Sequence, residues 1–175
     1  IVDYFENGKI RIIGKFKKGL AIGHLTLFYP NGELREVRLY DKKGFFVKRI
    51  FTKDLSLESP ESPSIFDNIK STPKVAFNLN TTITEINETS YDITLEITVK
   101  AETDNTVIYM VELKQAGLFI IDGADDELKD GFLNIRCPEV LFPYARETIS
   151  SLIQKAGFPP IFIAPIDFNA LYQQE

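Results

Sequence analysis

The clearest rhythm in the chain lies between Ser90 and Ala101, where Tyr91, Ile93, Leu95, Ile97 and Val99 alternate with Asp92, Thr94, Glu96, Thr98 and Lys100. A period of two predicts a strand with one face buried and one in water. "KVAFNLNTTITEI" just before it reads the same way, and "NETS" between them is a turn. "FFVKRIFTKDLSL" upstream is another strand, ended by the Pro60 and Pro63 region, which predicts an irregular crossing. "TVIYMVELKQAGLFII" is a fourth strand, apolar on both faces around Val107 to Leu113, so a second cover is expected, supplied by another subunit. The period then changes. "GADDELKDGFLNIR" reads as a short helix, and Leu141, Tyr144, Ala145, Thr148, Ile149, Leu152 and Ile153 recur at helical spacing up to Gly157. Pro143 is expected near that helix's start, where a missing N–H costs little, and Asp167 is expected to cap a last helix. Four consecutive antiparallel strands followed by helices packed on one face make an α+β fold.

Residues 1–44 follow a different pattern. "YFENGKIR" recurs as "FYPNGELR" 24 positions later, and each Asn-Gly is flanked by strand-like sequence. Asn-Gly accepts the positive φ of a tight hairpin turn, so this zone predicts β-hairpin repeats, with residues 45–175 as a second domain. Two such units cannot bury their own apolar residues, Ile10, Ile12, Phe16, Leu25, Leu27 and Leu34 among them. The hairpins are expected to dock, either in an apolar groove of their own or a neighbouring chain, or on further repeats upstream of Ile1.

Composition narrows the function. A net charge of −5 argues against a phosphate-neutralising surface and points to no nucleic acid, while a basic partner is favoured. No apolar run is long enough to span a membrane, so no membrane insertion is expected, and a single cysteine without a secretory signal suits the reducing cytoplasm. Cys137 and His24, the only thiol and the only imidazole, lie in different zones, which argues against a nucleophile–base pair. "AGLFIIDGAD" lacks the spacing and the lysine of a phosphate loop, and no zinc cluster or other cofactor motif is present. The expectation is a non-enzyme without a cofactor. What remains is apolar: Phe142, Pro143, Tyr144, Phe158, Pro159, Pro160, Phe162 and Phe168 sit in segments too irregular to share one helix face. Such residues can line a groove that holds extended chain without demanding a sequence.

"RIFTKDLSLESPESPSIF", "YMVELKQAGLFII", "CPEVLFPYARETISSLI" and "GFPPIFIAPIDFNALY" together resemble the hallmark segments of the SecB family of bacterial export chaperones, from about Phe46 to the end. The resemblance implies a four-stranded sheet with helices on one side, a homotetramer built as a dimer of dimers, and a chaperone that keeps preproteins unfolded and hands them to the SecA motor. It places Ile65, Phe66, Tyr144, Phe158 and Phe162 at the client groove, and Leu141, Ile149 and Leu152, with Tyr144, between helix and sheet or subunits. It places Asp54, Glu58, Met110 and Glu112 at the docking face for SecA, and Val111, Leu113 and Gln115 at subunit contacts. The family's tryptophan after the "IF" of the crossover is absent, and "DNIKSTP" stands there instead. Residues 3–44 resemble the bacterial variant of the MORN repeat. Two alternatives stay open: a SecB-like chaperone dedicated to one partner, as in toxin-antitoxin systems, or a non-catalytic repeat interaction module.

Overall fold

A computed structural model describes residues 1–17, 19–41, 44–69, 71–103 and 106–173. The first sheet is an antiparallel meander of β1 (Val2–Tyr4), β2 (Ile10–Lys17), β3 (Leu20–Phe28) and β4 (Leu34–Tyr40), in chain order. Its two Asn-Gly turns are built alike. The amide of Gly8 donates to the Phe5 carbonyl and that of Gly32 to the Tyr29 carbonyl, with both glycines at positive φ. The turns also touch each other, because the Asn7 side chain donates to the Pro30 carbonyl and Lys9 Nζ to the Asn31 carbonyl.

The second sheet contains β5 (Phe45–Glu58), β6 (Lys74–Asn87), β7 (Ser90–Thr103) and β8 (Thr106–Ile121) in the order β5-β8-β7-β6, every pair antiparallel. The long crossing from β5 to β6 contains a single helical turn, α1 (Ile65–Asn68). It lets β5 pair with β8 instead of its neighbour in sequence. On β8 the odd residues from Val111 to Ile121 are buried and even residues such as Glu112 and Lys114 face outward. Helix α2 (Asp126–Gly131) is capped by Asp125, which accepts from the Leu128 amide, and runs through a π-helical turn at Phe132–Arg136 into α3 (Cys137–Lys155). Helix α3 lies over β8 and β7 and reaches β5. It buries Pro138, Leu141, Phe142, Ala145, Ile149 and Ile153, one stripe at spacings of three and four, each large side chain contributing roughly 1.5–3 kcal/mol. Asp167 caps α4 (Phe168–Tyr172), as expected, by accepting from the Ala170 amide.

Three expectations need correction. Pro143 is inside α3 rather than at its start. The buried stripe extends upstream to Cys137, so the helix begins earlier and the proline leaves the Glu139 carbonyl without its i+4 donor. Nor does the Val107 to Leu113 segment present two apolar faces that await another subunit. A bulge where Tyr109 pairs with Ala101 and Val107 with Glu102 leaves Ile108 unpaired, and Ile108 and Tyr109 both join the core under the helices. The hairpin zone, finally, does not sit in a groove. Ala21, Leu25 and Tyr40 pack with Ile120 and Phe46, and those two lie on the outer side of the second sheet, since their neighbours Ile121 and Phe45 point into the helix-covered core.

Candidate functional site

Four of the singled-out residues meet on the outer face of the second sheet. Asp54 is paired with Lys114 and Glu58 with Met110, while Glu112 stands opposite Ser56 between those rows. Directly paired residues of antiparallel strands share a face, so Asp54, Glu58, Met110 and Glu112 form one patch, the three carboxylates exposed. A bulge between Thr52 and Asp54 makes this possible by absorbing Lys53. Three acids of the same sheet beyond the patch are paired with lysines. Lys53 Nζ lies 2.6 Å from Asp92, Lys114 Nζ 3.1 Å from Glu96, and Lys100 Nζ 2.7 Å from Glu102. Lys114, with help from Asn80, holds the Glu96 carboxyl below its usual range, and Lys100 does the same for Glu102. Among the described residues no ion pair engages Asp54, Glu58 or Glu112.

The aromatic residues divide into floor and surface. Ile65 and Phe158 are buried. The Phe158 ring packs in tilted contact 5.0 Å from Tyr109 and 5.1 Å from Phe66, which is 46% exposed. The crossover that carries Phe66 is tied down where Ser59 Oγ donates to the Ile108 carbonyl at 2.7 Å. Phe162, 87% exposed, lies elsewhere, in a cleft with Pro143, Arg146, Glu147 and Ile163. Tyr144, 52% exposed, faces a neighbouring cleft with Ile50, Phe51 and Thr52 and shares Pro143 and Glu147 with the first. Leu141 and Ile149 are core residues, whereas Tyr144 is not. Sequence reading missed one further apolar row. Val75, Phe77 and Ile83 of β6 point to the helix side but remain exposed because α3 lies over β8 and β7. The alternation in "KVAF" carried that signal; how far the helix reaches was not written in it.

Val111, Leu113 and Gln115 are 0%, 1% and 2% exposed, already covered within the single chain. The Gln115 amide is spent internally, donating to the Phe51 carbonyl at 2.9 Å. Cys137 is buried, its thiol pushed far up by burial, and His24 lies on β3, so the two do not meet.

An antiparallel sheet with one charged face, helices on the other and aromatic side chains exposed at the surface offers surfaces of the kind that take up other proteins. Its family follows from direct comparison. The chain belongs to the SecB family: residues 40–175 match the family described as preprotein translocase subunit SecB, a family of export chaperones rather than enzymes. It is 40% identical over 134 residues to the protein-export protein SecB of Methylococcus capsulatus, covering 77% of this chain and 86% of that protein. With the SecB of Marinomonas it shares 44% identity over 126 residues, 72% of this chain and 79% of the relative. Among solved structures it is similar to a SecB-like chaperone of Mycobacterium tuberculosis, in complex with a peptide from an antitoxin, with a TM-score of 0.58 over 70% of this chain and 90% of that one at 12% identity. That likeness speaks for the fold.

Proposed function

We propose that this protein holds unfolded or extended preproteins on two apolar surfaces, one around Phe66 and Phe158 and one around Tyr144 and Phe162, keeps them competent for translocation, and passes them to the SecA motor. The observation that carries this is the aromatic pair Phe66–Phe158: one ring is fixed in the core and the other half-exposed on it, a greasy surface without polar groups that would demand a sequence. Asp54, Glu58, Met110 and Glu112 are the docking patch for SecA, since three unpaired carboxylates on a flat sheet favour a basic partner. The working form is a cytoplasmic homotetramer, a dimer of dimers, which light scattering would report. The N-terminal sheet is a MORN-variant-like pair of hairpin repeats forming a domain of its own up to residue 44.

The test is suppression of aggregation of a chemically unfolded protein. Replacing Phe66 and Phe162 by alanine together should weaken capture about tenfold, as losing two exposed aromatic anchors does at other interfaces. Unchanged capture by a folded double variant would overturn this assignment of the groove. A second reading, a chaperone dedicated to one partner, is favoured by the first sheet, since residues before 40 lie outside the family match. Capture of many unrelated unfolded proteins with similar affinity would reject it.

A further inference from the structure

A cleft of about 480 Å³ lies between β4 and β5, lined by Tyr29, Arg35, Glu36, Phe46, Lys48 and Arg49 among others. In a chain of net charge −5 this place is basic. Arg38 stands behind Glu36, donating to its Oε2 at 3.0 Å and to the Tyr40 hydroxyl at 3.2 Å. Its Nε is buried without a hydrogen-bond partner. Arg35 leans on the Tyr29 ring at 5.9 Å. Three cations, Arg38, Lys48 and Arg35, thus act on one carboxylate, and among the described residues Arg35, Lys48 and Arg49 are in no ion pair.

The shape of the charge selects a ligand. Arg35 lies on β4 at one wall of the cleft, and Lys48 and Arg49 lie on β5 at the other. Cations spread over two walls fit a chain of carboxylates better than one compact anion. β4 is the last strand of its sheet, so one of its edges has no strand paired to it, and Arg35 and Glu36 of that strand line the cleft. An extended chain can pair with such an edge while every second side chain points to one side. Phe46 and Tyr29 add some apolar contact to a lining that is mainly polar.

We propose that the cleft between β4 and β5 binds an extended, acidic peptide segment, which adds along the β4 edge and sets its carboxylates on Arg35, Lys48 and Arg49. Glu36 shows the chemistry in place: the Arg38 hydrogen bond, aided by the charges of Lys48 and Arg35, holds that carboxyl below its ordinary range. The site is distinct from the aromatic surface and from the acidic patch.

The experiment uses the full chain and a fluorescent peptide that alternates Glu and Val over about ten residues, matched to the two-residue period of a strand. Anisotropy should report saturable binding that weakens with added salt. Reversing two cations, Arg35→Glu with Arg49→Glu, should weaken binding at least about tenfold, whereas Lys155→Glu on α3 should not. Amide shifts should appear between Leu34 and Tyr40. A thermal melt of each variant shows whether it is folded, and Arg35→Gln with Arg49→Gln is the milder replacement. Equal binding by the folded variants, or equal binding of the peptide with Lys for Glu, overturns the proposal. So does displacement by inorganic phosphate or by single-stranded DNA at concentrations like the peptide's own, which would mark a general polyanion site. The double variant should still suppress aggregation of unfolded protein; losing that capture alone would bear on the chaperone reading and not on this site.

Discussion

Gly44 is the joint between the two sheets, and replacing it by alanine tests how firmly they are joined. Its φ is +84°, and a Cβ there would stand 2.1 Å from the Asp122 carbonyl oxygen, which belongs to backbone and cannot swing away. The Gly44 carbonyl also accepts the Asp122 amide at 3.2 Å. The left-handed conformation alone costs an L-residue about 1–2 kcal/mol. Losing the hydrogen bond adds about 1 kcal/mol, and pushing two backbone segments apart about 1–3 kcal/mol more. Gly44→Ala should therefore cost about 3–6 kcal/mol, a fall in Tm of roughly 6–24 °C in a chain of this size. Gly8→Ala separates the causes, since Gly8 has φ +78° but nothing within 4 Å of the added Cβ. It should cost only the conformational part, about 1–2 kcal/mol. Circular dichroism gives both midpoints. Hydrogen exchange shows where Gly44→Ala acts: faster exchange at Leu25 to Tyr40 with β6 to β8 unchanged means the first sheet lets go of Phe46 and Ile120. A Gly44→Ala protein no less stable than Gly8→Ala, with unaltered exchange, would refute the close approach of Gly44 to Asp122.

Gly117→Ala should destabilise by about 1–3 kcal/mol in urea, because its Cβ would lie 2.6 Å from the Phe119 ring and 2.8 Å from Leu141; adding Leu141→Ala should cost less than the two changes summed. Converting Asp54, Glu58 and Glu112 to lysine should weaken binding to SecA and its salt dependence while client capture stays intact, and unchanged affinity at low salt would dismiss the docking patch. Glu36 has its carboxyl lowered in the fold from an ordinary value of 4.5, so its contribution to stability is present above about that pH and fades as pH falls through the folded value. Glu36→Gln should flatten this part of the acid limb in urea midpoints measured across it, and an identical acid limb would count against the Arg38 contact.

The strands were legible because alternation is a local property: Tyr91 to Val99 reads the same in the sequence and in the core. The patch of Asp54, Glu58, Met110 and Glu112 was half legible. Spacing puts Asp54 and Glu58 on one face, but their place beside Met110 and Glu112 depends on a register between strands separated by a long crossing and shifted by a bulge at Lys53. Neither is encoded near the residues concerned. Pro143 misled for a related reason. Proline prefers a first turn, yet the buried stripe from Cys137 to Ile153 outweighs one missing hydrogen bond. The bulge at Ile108 also left no local mark, so two adjacent buried residues looked like two buried faces.

The position of the first sheet follows from the same alternation, continued to the end of β8. Ile121 points into the core, so Ile120 must point out, and its partner Phe46 is turned the same way. Two apolar side chains on an otherwise charged face need cover, and Tyr40, Leu25 and Ala21 supply it, with the Tyr40 and Phe46 rings 5.4 Å apart. The contact uses one side of the meander. Ile12 and Leu27 are drawn in with it, whereas Ile13, Val37 and Leu39 on the other side remain exposed. From Ile120 to Lys114, the partner of Asp54, is six residues of strand, about 20 Å, so the cover ends short of the carboxylates. The outer face is therefore occupied at one end and acidic at the other. A partner drawn to Asp54, Glu58 and Glu112 can dock without displacing the first sheet, provided it extends toward β6 and not along the strands toward Phe46.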